Sequence, residues 1–169
     1  MQPNKIHIQD LIEDAGWLQE EMKLLKTIID VIPYDDRPLE QESVLDVVAK
    51  IGYACDNYFK PLIHNAVNCN DDLDMTPSSH FDSHYSIEYH EGRSALELLD
   101  HIIETRSEVQ GLLKSLQPKE FDRIMYLKEG EVTLEKLLRD MVMYDRKQLK
   151  KVAERVLTID PERSAARKL

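Results

Sequence analysis

The chain has 169 residues, of which 32% are charged, and a formal net charge of −10 at pH 7. This length suits one domain with a substantial core, and only 5 glycines and 7 prolines favour helices over a turn-rich β-sandwich. The acidic balance argues against nucleic-acid binding, which needs a basic patch. No apolar run approaches the roughly 18 residues of a membrane span. We expect a single all-α domain over residues 1–169.

Two features of the sequence bear on the cellular compartment. The N-terminal segment MQPNKIHIQD lacks the apolar core of a signal peptide. Cys55 and Cys69 are typical of free thiols in a reducing compartment, although a bridge between them is compatible with the sequence. We therefore expect a cytoplasmic protein.

The first predicted helix runs from about Ile8 to Ile32 and ends there because Pro33 disfavours helical geometry in the residue before it. Its apolar residues form one buried stripe, which comprises Ile8, Leu11, Ile12, Ala15, Leu18, Met22, Leu25, Ile28, Ile29 and Ile32. Trp17 lies beside this stripe rather than on it. Its position predicts that it fills a groove of a helical bundle or contributes to a subunit interface.

The second predicted helix begins with a capping-box pattern formed by Ser43 and Asp46. An apolar face follows from Val44 to Leu62, and Lys50 flanks that face. Pro61 lies in the last turn of the pattern. Because proline removes a helical hydrogen bond, we expect a kink there or a helix end nearby.

The segment Asn65–Glu91 is the least regular part of the chain. Aromatic and apolar residues at odd positions from Phe81 to Tyr89 predict an extended segment that lies against a surface. The even positions would then share the opposite face; they are His80, Asp82, His84, Glu88 and His90. These histidines form a candidate metal site. The simpler interpretation is a solvated surface loop, because spacing alone is weak evidence for a set of metal ligands.

The third predicted helix begins with a second capping box, formed by Ser94 and Glu97, and ends near Leu116. Arg106 lies in register with the apolar stripe of this helix. It either crosses the interior to an acid such as Asp145 or emerges at an edge of the bundle.

The last predicted helix occupies Glu131–Leu157, with Thr133 as its N-cap. Its apolar stripe has the helical period of 3.6 and comprises Leu134, Leu137, Leu138, Met141, Val142, Leu149, Val152 and Val156. Tyr144, Asp145 and Gln148 interrupt the pattern. Polar groups on a buried face need partners or a ligand, so this interruption is a candidate site.

The stretch TLEKLLRDMVMYDRKQL resembles the last bundle helix of the DinB/YfiT-like superfamily. The resemblance implies a four-helix bundle, commonly a divalent transition metal held by three histidines, and in some members a thiol S-transferase activity. Two histidine positions fall on Tyr144 and Gln148, while the aspartate after the first is kept as Asp145. The third position falls on Lys50, within SVLDVVAKIGYACDNYF. All three implied ligands are replaced, so we expect no metal cofactor at this position.

The resemblance and the connections together predict the architecture. Short connections favour antiparallel neighbours, while the long Asn65–Glu91 segment permits a crossover between the second and third helices. This suits the up-down-down-up order of the superfamily. We therefore expect a four-helix bundle of that order, and the resemblance also implies a homodimer.

Three interpretations of Lys50, Tyr144, Asp145 and Gln148 are open at this point. The first is a Lys50–Asp145 ion pair within a hydrogen-bond network, because an unpaired buried charge is costly. The second is a retained pocket that binds an organic anion through Lys50. The third is a catalytic role for Lys50.

Two functions of different classes follow from these residues. The first is a metal-free bundle protein that binds a small organic molecule or a protein partner in its pocket without turnover. The alternative is a thiol S-transferase-type enzyme, either with a metal centre relocated to His80, His84 and His90 or without metal. Replacement of the implied ligands favours the first.

Overall fold

In the computed structural model of the chain, the described residues are 5–37, 41–68 and 80–166. Four long helical segments make up most of this part. They are α1 (Lys5–Ile28), α2 (Val44–Ala54) continued by α3 (Lys60–Asn68), α4 (Ala95–Lys114) and α5 (Leu134–Ala166). The predicted all-α bundle is confirmed in this main part. No helix within the described ranges has both the length and the apolar character needed to cross a membrane.

The helix starts follow the local sequence signals. Ser43 Oγ accepts a hydrogen bond from the backbone N–H of Asp46 at 3.0 Å, and the Asp46 carboxylate accepts one from the N–H of Ser43 at 3.0 Å. Ser94 and Glu97 form the same box, at 3.2 and 2.8 Å. Thr133 Oγ1 caps α5 by accepting from a backbone N–H at 3.2 Å. All three predicted caps are confirmed, because each supplies an acceptor to otherwise unpaired backbone N–H groups. The last helix begins at Leu134 rather than at the predicted Glu131, since Gly130–Thr133 form a strand.

The helix that contains Pro61 does not end there. A π-helical turn over Cys55–Phe59 separates α2 from α3, and the N–H of Lys60 bonds to the carbonyl of Cys55. Such one-turn bulges interrupt an α-helix without ending it. The wider turn ends at Phe59, two residues before Pro61, which has no N–H to donate. The chain remains helical to Asn68.

The segment before α4 is not extended. Two short 3-10 helices, Phe81–His84 and Ile87–Tyr89, replace the predicted strand-like conformation. Residues 69–79 of the predicted connection, including Cys69, lie outside the described residues. The alternation of aromatic residues was therefore wrongly interpreted: it reflects two 3-10 turns that place Phe81, Tyr85 and Tyr89 against the bundle.

A β-hairpin precedes α5 and was not predicted. Strand β1 (Ile124–Leu127) pairs antiparallel with β2 (Gly130–Thr133), and Met125 lies opposite Val132. Gly130 has a positive φ of 139°, a conformation that glycine adopts without strain. Met125 and Val132 are both buried, so the hairpin closes one end of the core.

A layer of buried polar residues divides the core into two hydrophobic clusters. Helix α1 packs against α4 and α5, and α2 packs against the same two helices. One cluster surrounds Phe59 and Leu138, and the other surrounds Met22 and Leu99. Between them lie the polar residues Thr105, Arg106, Asp145 and Gln148, all less than 6% exposed. The predicted polar interruption of the last helix is therefore part of a layer that crosses the bundle.

Candidate ligand-binding site

An ion pair between α4 and α5 forms the centre of the polar layer. Arg106 is fully buried and Asp145 is 5% exposed. Arg106 Nη2 donates a hydrogen bond to Asp145 Oδ1 at 3.2 Å, and Arg106 Nη1 lies 3.0 Å from Asp145 Oδ2. Burial raises the pKa of Asp145 to about 6, although the guanidinium of Arg106 acts in the opposite direction. The predicted crossing of Arg106 to Asp145 is confirmed.

Several atoms of this layer lack a hydrogen-bond partner in the described part of the chain. Arg106 Nε and Gln148 Oε1 have none, while Arg106 Nη1 and Asp145 Oδ2 face each other 3.0 Å apart as an ion pair without hydrogen-bond geometry. Native proteins pair nearly all of their buried polar groups, and a buried ion pair adds little net stability. Stability alone therefore does not account for the layer. Buried polar groups with a shifted pKa are more typical of functional sites.

Lys50 does not take part in the layer, so the predicted Lys50–Asp145 ion pair is wrong. The Lys50 ammonium pairs with Glu42, and Lys151 Nζ lies 3.4 Å from the other oxygen of the same carboxylate. The side chain of Lys50 is 24% exposed. A lysine at the edge of α2 keeps its ammonium partly hydrated, whereas Asp145 lies deeper and is reached by Arg106 from α4.

Tyr144 faces a different neighbour from Asp145 and contacts the segment before α4. Its hydroxyl donates to Asp82 Oδ1 at 2.7 Å and lies 3.4 Å from the carbonyl of Lys50. Its ring meets that of Phe81 edge-on, with centroids 5.3 Å apart. Burial and the hydrogen bond to Asp82 raise the pKa of Tyr144. The phenol is therefore a neutral donor that holds this segment in place.

Residues 80–90, here called the strap, are fixed to the bundle by further hydroxyl contacts. Tyr53 donates to the carbonyl of His84 at 3.1 Å. Tyr89 donates to Asp56 Oδ2 at 2.7 Å, and His101 Nε2 lies 2.7 Å from the same oxygen. Asp56 belongs to the π turn Cys55–Phe59. Its carboxylate therefore joins Tyr89 of the strap to His101 of α4.

The three histidines of the strap do not converge. His80 and His84 are exposed, whereas His90 is 7% exposed and its Nδ1 lies 2.9 Å from the hydroxyl of Tyr85. Burial lowers the pKa of His90, although Asp46 lies 3.8 Å from its Nε2. Within residues 5–37, 41–68 and 80–166, no three His, Cys, Asp or Glu side chains are placed to hold one metal ion. The candidate metal site at His80, His84 and His90 is therefore wrong.

A groove between α1 and α5, here called the α1–α5 groove, holds two adjoining cavities of about 480 Å³ each. Glu21, Leu149 and Ala153 border both cavities. Asp145 borders one of them, together with Trp17. The groove thus places an apolar surface between two helices beside Asp145, one member of the buried ion pair.

Comparison with known proteins identifies the fold. The chain matches no protein-family model and no curated protein sequence. A similar solved structure is that of YfiT from Bacillus subtilis, described as a probable metal-dependent hydrolase with an unusual four-helix bundle topology. The match has a TM-score of 0.70 and covers 91% of this chain and 90% of that chain at 15% sequence identity. The fold is YfiT-like. At this identity the likeness describes the fold alone, and the chemistry has to come from the residues present.

The four predicted site residues have different neighbours in the YfiT-like bundle. Lys50 and Tyr144 lie on the α2 side of α5, beneath the strap. Asp145 and Gln148 lie in the polar layer, and of the four it is Asp145 that borders the α1–α5 groove. Successive residues on an α-helix point in directions about 100° apart, so Tyr144 and Asp145 face different neighbours.

The groove itself was missed by sequence reasoning, although a signal for it exists. Trp17, Glu21, Leu24, Ile28 and Val31 recur at three- and four-residue steps beside the buried stripe of α1; Ile28, which was expected on the buried stripe, is instead 37% exposed. Apart from Glu21, each is exposed. A second, mostly apolar stripe with a single carboxylate indicates a surface that another molecule can cover.

Proposed function

We propose that this protein is a YfiT-like bundle that binds a small, mainly apolar organic molecule in the α1–α5 groove without a hydrolytic metal. The observation that carries this proposal is the position of Asp145, which belongs to the buried polar layer and also borders the groove. Ligand sites are typically apolar clefts of ~300–1,000 Å³ with a few convergent polar groups. In this proposal Arg106 positions Asp145, and Gln148 belongs to the same buried polar layer. Lys50 and Tyr144 hold the α2 side and the strap in place.

The residues at the implied metal position do not fit a divalent transition metal. The ammonium of Lys50 has no lone pair and is paired with Glu42. The neutral phenol of Tyr144 donates to Asp82 and the amide of Gln148 is a weak ligand, so neither replaces an imidazole. We therefore derive no metal-dependent step, and the hydrolase description of YfiT is not transferred to this chain.

We further propose that the four helical segments follow the up-down-down-up order. Contacts between α1 and α4 support opposite directions, because Lys26 pairs with Asp100 while Gln19 pairs with Gln110. The His7–Glu135 and Asp14–Arg146 contacts support parallel directions for α1 and α5. The Asp56–His101 and Lys60–Glu108 contacts support parallel directions for the second segment and α4. This order makes α1 and α5 parallel neighbours, which form the two walls of the groove.

Binding of a neutral apolar probe tests the proposed function. N-phenyl-1-naphthylamine becomes fluorescent in apolar sites, and we expect saturable binding of one molecule per chain. Ala153 borders both cavities and is exposed, so Ala153→Phe fills the groove without entering the core. The variant should lose at least tenfold in probe affinity. Ser107→Phe adds the same ring at an exposed position of α4 and serves as the matched control.

Two results contradict the proposal. The first is the absence of saturable probe binding to the native chain. The second is equal affinity for the native protein and Ala153→Phe, which would locate the probe elsewhere.

Homodimer formation and cytoplasmic location stay predictions; light scattering on the purified protein checks the first, and fractionation of cells checks the second.

A further inference from the structure

The α1–α5 groove is elongated along α1. From Asp14 to Ile28, the residues of α1 that border it span ~21 Å at 1.5 Å per residue. The half towards Ile28 is bordered almost entirely by apolar side chains, chiefly Met22, Leu25, Leu149, Val152 and Val156. The half towards Asp14 contains most of the charged groups. An occupant that fits both halves is amphiphilic, with an extended apolar part and a polar head.

Most charges of the groove are already balanced. Asp14 pairs with Arg146 at 3.0 Å across the groove, and Asp145 pairs with Arg106 in the interior. The side chain of Lys150 is 78% exposed and points to Glu154, 3.9 Å away, so water solvates its ammonium. The charges that remain near the junction of the two cavities determine which head group is favoured.

Glu21 is the unbalanced charge at that junction. It borders both cavities, and within the described part of the chain its carboxylate forms no ion pair or hydrogen bond. Its side chain is partly buried. A carboxylate without a partner in the protein attracts a cation beside it.

Trp17 lies one helical turn before Glu21 on the same side of α1. Its side chain is 66% exposed and borders the cavity that also contains Asp145. An exposed indole attracts cations through the negative face of its ring. The chain also carries a net charge of −10, which attracts cations and repels anions at long range.

We propose that the α1–α5 groove selects hydrophobic organic cations, with an ammonium head between Glu21 and Trp17 and the apolar part between α1 and α5. This inference rests on the proposed function, because it assigns a ligand class to the same groove. It excludes fatty-acid-like anions as preferred occupants, since their carboxylate would lie beside Glu21.

Three twelve-carbon probes that differ only in their head groups test the selection: dodecylammonium, dodecanol and dodecanoate. Each is titrated below its micellar concentration at pH 7, and displacement of N-phenyl-1-naphthylamine gives its affinity. Trp17 is the single tryptophan of the chain, so quenching of its fluorescence reports contact with the head group. We expect dodecylammonium to bind about tenfold more tightly than dodecanoate, with dodecanol between them.

Glu21→Gln tests the origin of this selectivity. The isosteric amide should weaken dodecylammonium binding about fivefold and leave dodecanol unchanged. Glu104→Gln makes the same change in net charge at an exposed position of α4 outside the groove, and it should have no effect.

The ligand class and the binding site are overturned by different results. Saturable binding of the naphthylamine probe with equal affinities for the three heads overturns the ligand class and leaves the groove as a binding site. Selectivity for dodecylammonium that survives Glu21→Gln overturns the placement of the ammonium head at Glu21. Absence of binding of the naphthylamine probe overturns both.

Discussion

Arg106 of α4 and Asp145 of α5 meet in the interior of the bundle, with Nη1 and Oδ2 3.0 Å apart and no other described ionisable partner for either side chain. Their separation along the chain is 39 residues, so the contact depends on the packing of two helices. Because Asp145 also borders the α1–α5 groove, this pair links the stability of the fold to the proposed site.

Removal of Arg106 should destabilise the protein strongly. Arg106→Met leaves an unpaired carboxylate in the core, and we expect a loss of about 3–5 kcal/mol in the free energy of unfolding. The double variant Arg106→Met/Asp145→Leu should recover most of that loss, since neither charge then remains. Urea denaturation of the native protein and the variants measures both values.

Lys50→Met provides the matched control for that experiment. Its partner Glu42 keeps a second cation, Lys151, and all three side chains are partly exposed. The loss should therefore stay below about 1 kcal/mol. A larger effect for Lys50→Met than for Arg106→Met would mean that Asp145 is paired with Lys50 after all.

The stability of the native protein should contain a contribution from Asp145 that falls as the pH rises. Burial raises the pKa of Asp145 in the folded state to about 6, from 3.8 for the free side chain. Between these two pKa values the folded protein binds more protons than the unfolded chain. The stabilisation from this difference is therefore complete below about pH 4 and is lost as the pH rises through about 6. Other carboxylates contribute to the same profile.

The contribution is therefore measured as the difference between the native protein and Asp145→Asn in urea denaturation from pH 4 to 7. The native stability should decline relative to the variant across this interval. Parallel profiles would show that Asp145 keeps an ordinary pKa.

Gly52→Ala should loosen the strap. A methyl group at position 52 would lie 2.8 Å from the hydroxyl of Tyr89, which is held by Asp56. The ring must move, so the Tyr89–Asp56 hydrogen bond should break and the amides of residues 87–90 should exchange faster with deuterium.

Gly111→Ala is the control for Gly52→Ala. It adds a methyl group in an open part of α4, where nothing lies within 4 Å, and it should stabilise the helix by up to about 1 kcal/mol. Unchanged exchange over the strap in both variants would show that Tyr89 does not hold it.

Purified protein should contain little transition metal. Elemental analysis of tag-free protein, prepared without added metal or chelator, should give far less than one Zn, Ni or Fe per chain. Challenge with these ions followed by desalting should leave that value low, because the described part of the chain offers no group of three suitable ligands. About one metal per chain would refute this, and substitution of His80, His84 and His90 would then be the next experiment.

Much of the architecture could be predicted because it depends on local patterns. Helix starts at Ser43, Ser94 and Thr133 each rely on a side-chain acceptor within three residues, and the apolar stripes have the helical period. The crossing from Arg106 to Asp145 was one of two open alternatives. The hairpin was missed, since its strands are only four residues long and its turn, Lys128–Glu129, lacks the usual Asn-Gly or Asp-Gly signal.

The site was harder to predict because its contacts join distant parts of the chain. Lys50 pairs with Glu42, one of several acids in the loop before α2. Sequence spacing does not show whether one of these acids or Asp145 reaches the Lys50 ammonium. His80, His84 and His90 lie close together in sequence, yet 3-10 turns direct the first two to solvent and the third into the protein. Spacing alone does not determine such directions.

The polar layer also bears on how the helices are aligned lengthwise. Cluster members end at Ile102 and resume at Val109 on α4, and they end at Val142 and resume at Val152 on α5. A slip of α4 by one turn along α5 would move the charge of Arg106 ~5.4 Å into hydrocarbon and leave Asp145 facing Ile102 or Val109. Hydrophobic packing alone tolerates many such slips. The Arg106–Asp145 ion pair forms in one alignment only and therefore sets the register of α4 against α5.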